Sequence, residues 1–258
     1  MRWVVKIGTS SLCEADGQLS WNKVLMFTRQ IKALHERGHQ VVVVTSGAIG
    51  TGMGTTKIRP KTLSERQALA AIGQAHLMEY YRKALAPITM GQLLLTYPDI
   101  SDPIRRDIFC QTLEHMLQWR TIPVVNENDA VTDDDSRIGD NDTLAAHLAV
   151  MVRANRLVIL TDIDGLYTDN PYQNPGAQRI DALPWVTLEH VEQFGAGEPG
   201  QFGAGGMATK LQAARIAQEA GIEMVLASSR EPGVLQKIDA PNWQGGTRFL
   251  ARRGVSHA

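Results

Sequence analysis

The sequence predicts an α/β fold, a three-layer αβα sandwich around a mainly parallel central sheet. Two observations carry that expectation. Short β-branched runs alternate with longer stretches of helical period, at the lengths of successive βαβ units. One run, Gln40 to Thr45, holds four consecutive valines, the mark of a strand covered on both faces.

The elements follow in order. Trp3 to Ile7 reads as a strand. Asn22 to Arg37 reads as a helix, because Val24, Phe27, Ile31 and Leu34 share one face, and Gly38 stands at its C′ position. Gln40 to Thr45 is the buried strand. Thr62-Leu63-Ser64-Glu65 is a capping box that opens a helix to about Leu85. Gly91 to Thr96 is a strand. Asp102-Pro103 places an N-cap before a proline at N1 and opens a helix to about Trp119. Thr121 to Val125 is a strand, and Asn126 to Asp140 reads as a polar loop. Asp140 caps a helix to about Arg153, and Arg156 to Thr161 is a strand. Asp162 to Pro184 is rich in turn residues. A short helix covers Leu188 to Phe194, and a glycine-rich loop, Gly195 to Gly206, runs into a helix ending near Gly221. Glu223 to Ala227 is a strand, and Thr247 to Leu250 is expected at an edge. One domain is expected over 1–258, with two lobes, 1–155 and 156–258, meeting near Asp162.

Composition excludes several classes. The chain has 258 residues, a hydrophobic fraction of 43% and a charged fraction of 21%, ordinary globular values that disfavour disorder. A net charge of −1 excludes a general nucleic-acid coat. Two cysteines, Cys13 and Cys110, exclude a disulfide scaffold and a four-thiolate zinc site and favour a reducing compartment. Apolar runs are too short for a membrane span, and the N-terminus lacks a signal-peptide core, so the expectation is a cytoplasmic protein with neither membrane nor nucleic-acid partner.

Two motif matches fail on context. His35-Glu36-Arg37-Gly38-His39 fits a zinc-protease pattern, but Gly38 ends the helix that would align both imidazoles. Gly195-Ala196-Gly197-Glu198-Pro199-Gly200 fits a dinucleotide fingerprint, but it follows no strand, and Pro199 interrupts any immediate helix.

Five segments at strand ends or helix starts hold together. Lys6-Ile7-Gly8 ends the first strand: either Lys6 faces water from an edge strand, or it is buried and needs an anion beside it. Thr45-Ser46-Gly47 is either a tight turn or an anion cradle at a helix start. Asn126 to Thr143 holds seven carboxylates and one base, Arg137. That segment is a solvated loop, a metal site or a receptor for a cation such as an α-ammonium. Thr161-Asp162 ends another strand. Gly203 to Lys210 places glycines and a lysine at a helix start, suited to nucleotide phosphate or simply to flexibility.

At these residues the chain resembles the amino acid kinase family, above all its branch acting on the γ-carboxylate of L-glutamate. The motifs are Val5-Lys6-Ile7-Gly8-Thr9-Ser10, Val44-Thr45-Ser46-Gly47-Ala48-Ile49, Pro123 to Val131 with Asn126-Glu127-Asn128-Asp129 inside it, and Gly139-Asp140-Asn141-Asp142. Leu160-Thr161-Asp162, Gly165-Leu166-Tyr167-Thr168 and Gly205 to Lys210 continue the match in order. The resemblance implies ATP-dependent phosphorylation of L-glutamate to L-glutamyl 5-phosphate, the first step of proline synthesis, with Mg²⁺. It implies that Lys6 and Lys210 stabilise the transferring phosphoryl group and that Asp142 orients them. It implies that Ser46, Gly47, Asn126, Asp129 and Asn141 hold glutamate. It implies that Lys6, Gly8, Thr161, Asp162 and the run Ala204, Gly205, Gly206, Met207, Ala208, Thr209, Lys210 bind ATP. Proline as feedback inhibitor, a homo-oligomer (dimer or tetramer) and a downstream glutamyl phosphate reductase are implied partners.

The chain departs from the pattern in three places. Many bacterial members carry a C-terminal PUA domain, and this chain stops soon after Arg252-Arg253, so that domain is expected to be missing. Arg106 to Gln111 differs from the usual stretch, which bears on packing or subunit contacts. Ala204 replaces a hydroxyl residue in the nucleotide loop. Kinases of the same fold with anionic phosphate acceptors would want Arg or Lys where this chain is acidic. A non-catalytic amino-acid sensor would have no use for Lys6, Asp142 and Lys210 together.

Overall fold

The computed structural model describes residues 1–14, 16–132, 138, 140–171, 173–195 and 206–251. In chain order the elements are β1 (Arg2–Ile7), α1 (Thr9–Leu12), α2 (Trp21–Glu36), β2 (Gln40–Val44), α3 (Ala48–Thr56), α4 (Leu63–Leu85), β3 (Met90–Leu95), α5 (Tyr97–Ser101), α6 (Pro103–Gln118) and β4 (Ile122–Glu127). The chain continues with α7 (Asn141–Met151), β5 (Arg156–Thr161), β6 (Leu166–Tyr167), β7 (Arg179–Ile180), β8 (Ala182–Leu183), α8 (Leu188–Gly195), α9 (Met207–Glu219), β9 (Glu223–Ser228), α10 (Val234–Asp239) and β10 (Gly246–Phe249).

One sheet runs in the order β3-β4-β2-β1-β5-β9-β10-β8. Its strands from β3 through β9 are parallel, and β10 is antiparallel to β9. Alternation along β1 sorts the core into two layers. Trp3, Val5 and Ile7 pack with Val24, Phe27, Ile31 and Leu34 of α2, with Leu77 and Tyr81 of α4, and with Val234 and Ile238 of α10. Val4 packs on the opposite face, with Phe109 and Leu113 of α6, Leu144 and Leu148 of α7, and Leu211 and Ala214 of α9. The period of two therefore turns Lys6 toward the α7–α9 layer.

The expected caps are made. Thr62 Oγ1 accepts from Glu65 N at 3.2 Å, and Glu65 Oε2 accepts from Thr62 N at 3.2 Å. Asp102 Oδ1 accepts from Ile104 N and Arg105 N, each at 2.9 Å.

Four features differ from expectation. Asn126 and Glu127 belong to β4, not to a loop, because β3 runs alongside and pairs Leu94 with Asn126 and Leu95 with Glu127. The strand near Thr247 is not an edge: Arg248 N donates to Asp181 O at 2.9 Å, which recruits β8 outside it. The turn-rich stretch holds β6, β7 and β8. The short helices α1, α5 and α10 carry too few residues for a periodic signal.

Two glycines let α3 and α4 touch backbone to backbone. A Cβ on Gly52 would run into the carbonyl of Leu69, and one on Gly73 into the carbonyl of Ala48. Neither obstacle is a side chain that can swing away. Gly73→Ala is expected to destabilise the protein by about 1–3 kcal/mol, the usual cost of overpacking, read as a lower urea midpoint. An unchanged midpoint would show that the two helices slide apart freely.

Candidate active site

Asp142 is fully buried in the first turn of α7, between two lysines from different elements. Lys6 Nζ of β1 stands 2.6 Å from Asp142 Oδ1, and Lys210 Nζ of α9 stands 3.1 Å from Asp142 Oδ2. Thr209 Oγ1 also donates to Oδ2, at 3.4 Å. Burial alone would push the Asp142 carboxyl up; Lys6 first and Lys210 second outweigh it and hold the group below the ordinary carboxylate range. The start of α7 adds favourable dipole for an anion. The alternatives for Lys6 are thereby resolved: β1 lies between β2 and β5, and the Lys6 side chain is only 11% exposed. The three groups sum to one net positive charge in a place shielded from water, which suits a phosphoryl group in transfer.

Three local devices aim these side chains. Asp140 caps α7 by accepting from Thr143 N at 2.9 Å. The buried Glu127 accepts from Ile138 N at 3.0 Å and draws the chain back toward β4 just before that cap. Gly206 is the N-cap of α9, whose first residues are Met207, Ala208, Thr209 and Lys210; Lys210 Nζ reaches back to Gly206 O at 3.4 Å.

A chain of amides adjoins the lysine pair. Asn141 Nδ2 shares its two hydrogens among three acceptors within reach, Thr45 O at 2.8 Å, Ser46 Oγ at 2.7 Å and Asn126 Oδ1 at 3.0 Å. Asn126 Nδ2 donates on to Gln74 Oε1 of α4 at 2.9 Å. Thr45 also meets the buried Tyr81 hydroxyl, Oγ1 to Oη 3.1 Å. Gly47 precedes α3 with φ 99°, a left-handed conformation that favours glycine. Asp129 lies in the turn after β4 and is half-buried.

At the end of β5, Thr161 is buried and donates from Oγ1 to Oδ1 of the exposed Asp162 at 3.0 Å. A Cβ on Gly8 would lie 3.5 Å from Lys6 Nζ, in space that an anion on that ammonium would use. Lys6, Asp142 and Lys210 are thus brought together, as are Ser46, Asn126 and Asn141. Ala204, Gly205 and Gly139 lie outside the described residues. Sequence reasoning passed over Gln74 and gave Glu127, inside the Asn126-Glu127-Asn128-Asp129 motif, no role of its own. The signal for Gln74 is a lone glutamine on the stripe Ala70, Leu77, Tyr81 and Ala84, which is otherwise core.

Among the described residues no three His, Cys, Asp or Glu side chains are grouped so that they could hold a metal ion. His39 of the zinc-like motif instead pairs through Nε2 with Asp239, at 3.1 Å. No described helix is long and apolar enough to cross a membrane.

Residues 1–228 match the model of the amino acid kinase family. A glutamate 5-kinase of Symbiobacterium thermophilum is 44% identical over 242 residues, covering 92% of this chain and 91% of its own. A glutamate 5-kinase of Neisseria meningitidis serogroup A is 44% identical over 255 residues, covering 97% of this chain and 69% of its own. Among solved structures, a carbamate kinase from Giardia lamblia bound to AMP-PNP aligns with TM-score 0.67 at 18% identity, covering 97% and 98% of the two chains. A UMP kinase from Bacillus anthracis aligns with TM-score 0.65 at 15% identity, covering 96% and 94%. Those two likenesses show the fold.

Proposed function

The chain belongs to the amino acid kinase family, and on that premise we propose that it transfers the γ-phosphoryl group of ATP to the γ-carboxylate of L-glutamate, giving L-glutamyl 5-phosphate. This is the activity of a glutamate 5-kinase and the first step of proline synthesis. One observation carries the reading. Asn141, in the amide chain, and Asp142, in the lysine pair, are consecutive residues at one helix start. An amino-acid pocket and a phosphoryl clamp therefore share a wall.

The chemistry needs little more. A γ-carboxylate has a reference pKa of about 4.3 and is already an anion at neutral pH, so no general base is required. The task is to align two anions in line and to stabilise charge on the transferring group. Lys6 and Lys210 supply that charge, and Asp142 holds both ammonium groups in place beforehand, so little reorganisation is needed during transfer. Ser46, Gly47, Asn126, Asp129 and Asn141 take glutamate, with Asp129 for its ammonium. Thr161, Asp162, Gly8 and the run 204–210 take ATP. Apart from Lys6 and Gly8, which serve the phosphates, residues 1–155 then form the glutamate side and 156–258 the nucleotide side. Both oxygens of Asp142 face lysines, so Mg²⁺ would come with ATP rather than be held by this carboxylate, and it would supply neutralisation of phosphate charge.

A cytoplasmic homo-oligomer, inhibited by proline and feeding a glutamyl phosphate reductase, completes the reading. Ile104 and Ile108 on α6 and Trp119 at its C-cap, each more than half exposed, support a subunit contact.

The test is turnover of ATP with Mg²⁺, using hydroxylamine to trap acyl phosphate. Hydroxamate is expected with L-glutamate and not with N-acetyl-L-glutamate or without acceptor. Hydroxamate with the acetylated substrate alone, or none with any acceptor, would overturn the assignment.

A further inference from the structure

The amide chain has a direction, and one backbone atom sets it. Thr45 O is a carbonyl and only accepts, so the Asn141 amide must turn its Nδ2 toward it. That same Nδ2 then faces Asn126, which must present Oδ1. Asn126 is left with Nδ2 toward Gln74, which must present Oε1. Each amide orientation follows from the one before it, and flipping any of them puts like atoms together. The chain therefore ends on Gln74 Nε2 as a free donor.

Among the described residues that donor has no hydrogen-bond partner, and Gln74 is 9% exposed. A buried N–H pair without an acceptor is costly and invites one. Gln74 cannot retreat, because its neighbour Gly73 lies against the Ala48 carbonyl. At the other end of the chain, Asn141 adjoins Asp142 and the two lysines. Gln74 thus lies at the end of the amide chain away from the phosphoryl clamp. A substrate lying along that chain with its reacting carboxylate at the clamp would turn its other end toward Gln74.

We infer that Gln74 Nε2 donates to the α-carboxylate of the amino-acid substrate and makes the site selective for an acidic group there. The inference rests on the glutamate reading above. It assigns Gln74 to substrate binding at the end that does not react, so its energy is felt equally in the ground and transition states.

Gln74→Glu is the sharp test, because it keeps an oxygen for Asn126 and replaces only the donor. KM for L-glutamate is expected to rise roughly tenfold or more, with kcat within about threefold and KM for ATP unchanged. The α-amide of L-glutamate, L-isoglutamine, offers a donor where glutamate offers an acceptor. Its inhibition constant against L-glutamate is expected to hold or fall in the variant, so the preference for glutamate over its α-amide drops at least tenfold. Gln74→Met, an apolar side chain of similar length, is expected to raise KM for L-glutamate without improving the α-amide; should Gln74→Glu fail to fold, it decides the matter alone. An unchanged KM for L-glutamate, or equal losses for both ligands, would overturn the inference. If the wild-type protein makes no hydroxamate from L-glutamate, it is the glutamate reading that fails instead.

Discussion

Lys210→Ala is expected to lower kcat by roughly three orders of magnitude, the scale of removing a cation that stabilises a transferring phosphoryl group. L-Glutamate is expected to bind within a few-fold of its wild-type affinity, because Asn141, Asn126 and Gln74 are held by hydrogen bonds to one another and to Thr45 and Ser46. The fold should persist as well, since Asp142 keeps Lys6 as its partner at 2.6 Å. Lys210→Arg is not expected to rescue, because a planar fork cannot replace a point charge in a space closed by Gly206 and Thr209. Hydroxamate formation and glutamate calorimetry on the same preparation check both halves. Turnover within tenfold of wild type would remove Lys210 from the clamp.

Asp142→Asn is expected to cost stability as well as activity. It leaves two ammonium groups facing a neutral amide in a buried place, and breaking a buried pair in this way costs about 3–5 kcal/mol. The pH dependence has a definite sign. The folded carboxyl lies below its unfolded value, so the folded chain binds fewer protons there than the unfolded chain. Its stabilisation is complete above the unfolded value of about 3.9 and is lost as pH falls through the lower folded value. The deficit of Asp142→Asn in urea unfolding should therefore be flat from pH 8 to pH 5 and shrink only below about pH 4. A deficit that already fades between pH 7 and pH 5 would mean that a different group is responsible.

Local rules account for what was legible in the sequence. The four valines of β2 announced a covered parallel strand, and the Thr62–Glu65 and Asp102-Pro103 caps fixed two helix starts. Motifs around Lys6, Asp142 and Lys210 were legible because glycines and charged residues at strand ends have few structural uses. What escaped depended on neighbours distant in sequence. Asn126 and Glu127 look like loop residues until β3 supplies their ladder partners. The β10 strand is interior only because residues near Asp181 return beside it. Gln74 reads as one more helix-forming residue until the close α3–α4 approach brings it to Asn126.

The place of Lys6 in β1 bears on how the enzyme moves. Its backbone is laddered to Val44 on one side and Ile159 on the other. A strand held on both flanks cannot creep by a fraction of a register without breaking both ladders. Lys6 is therefore the stationary jaw of a vice, and only its flexible stem can trim its position. Lys210 of α9 is held against the same carboxylate at 3.1 Å, so both cations are set in place around Asp142. Amide hydrogen exchange should then find the backbone of Lys6 among the slowest sites in the protein, whether or not nucleotide is bound.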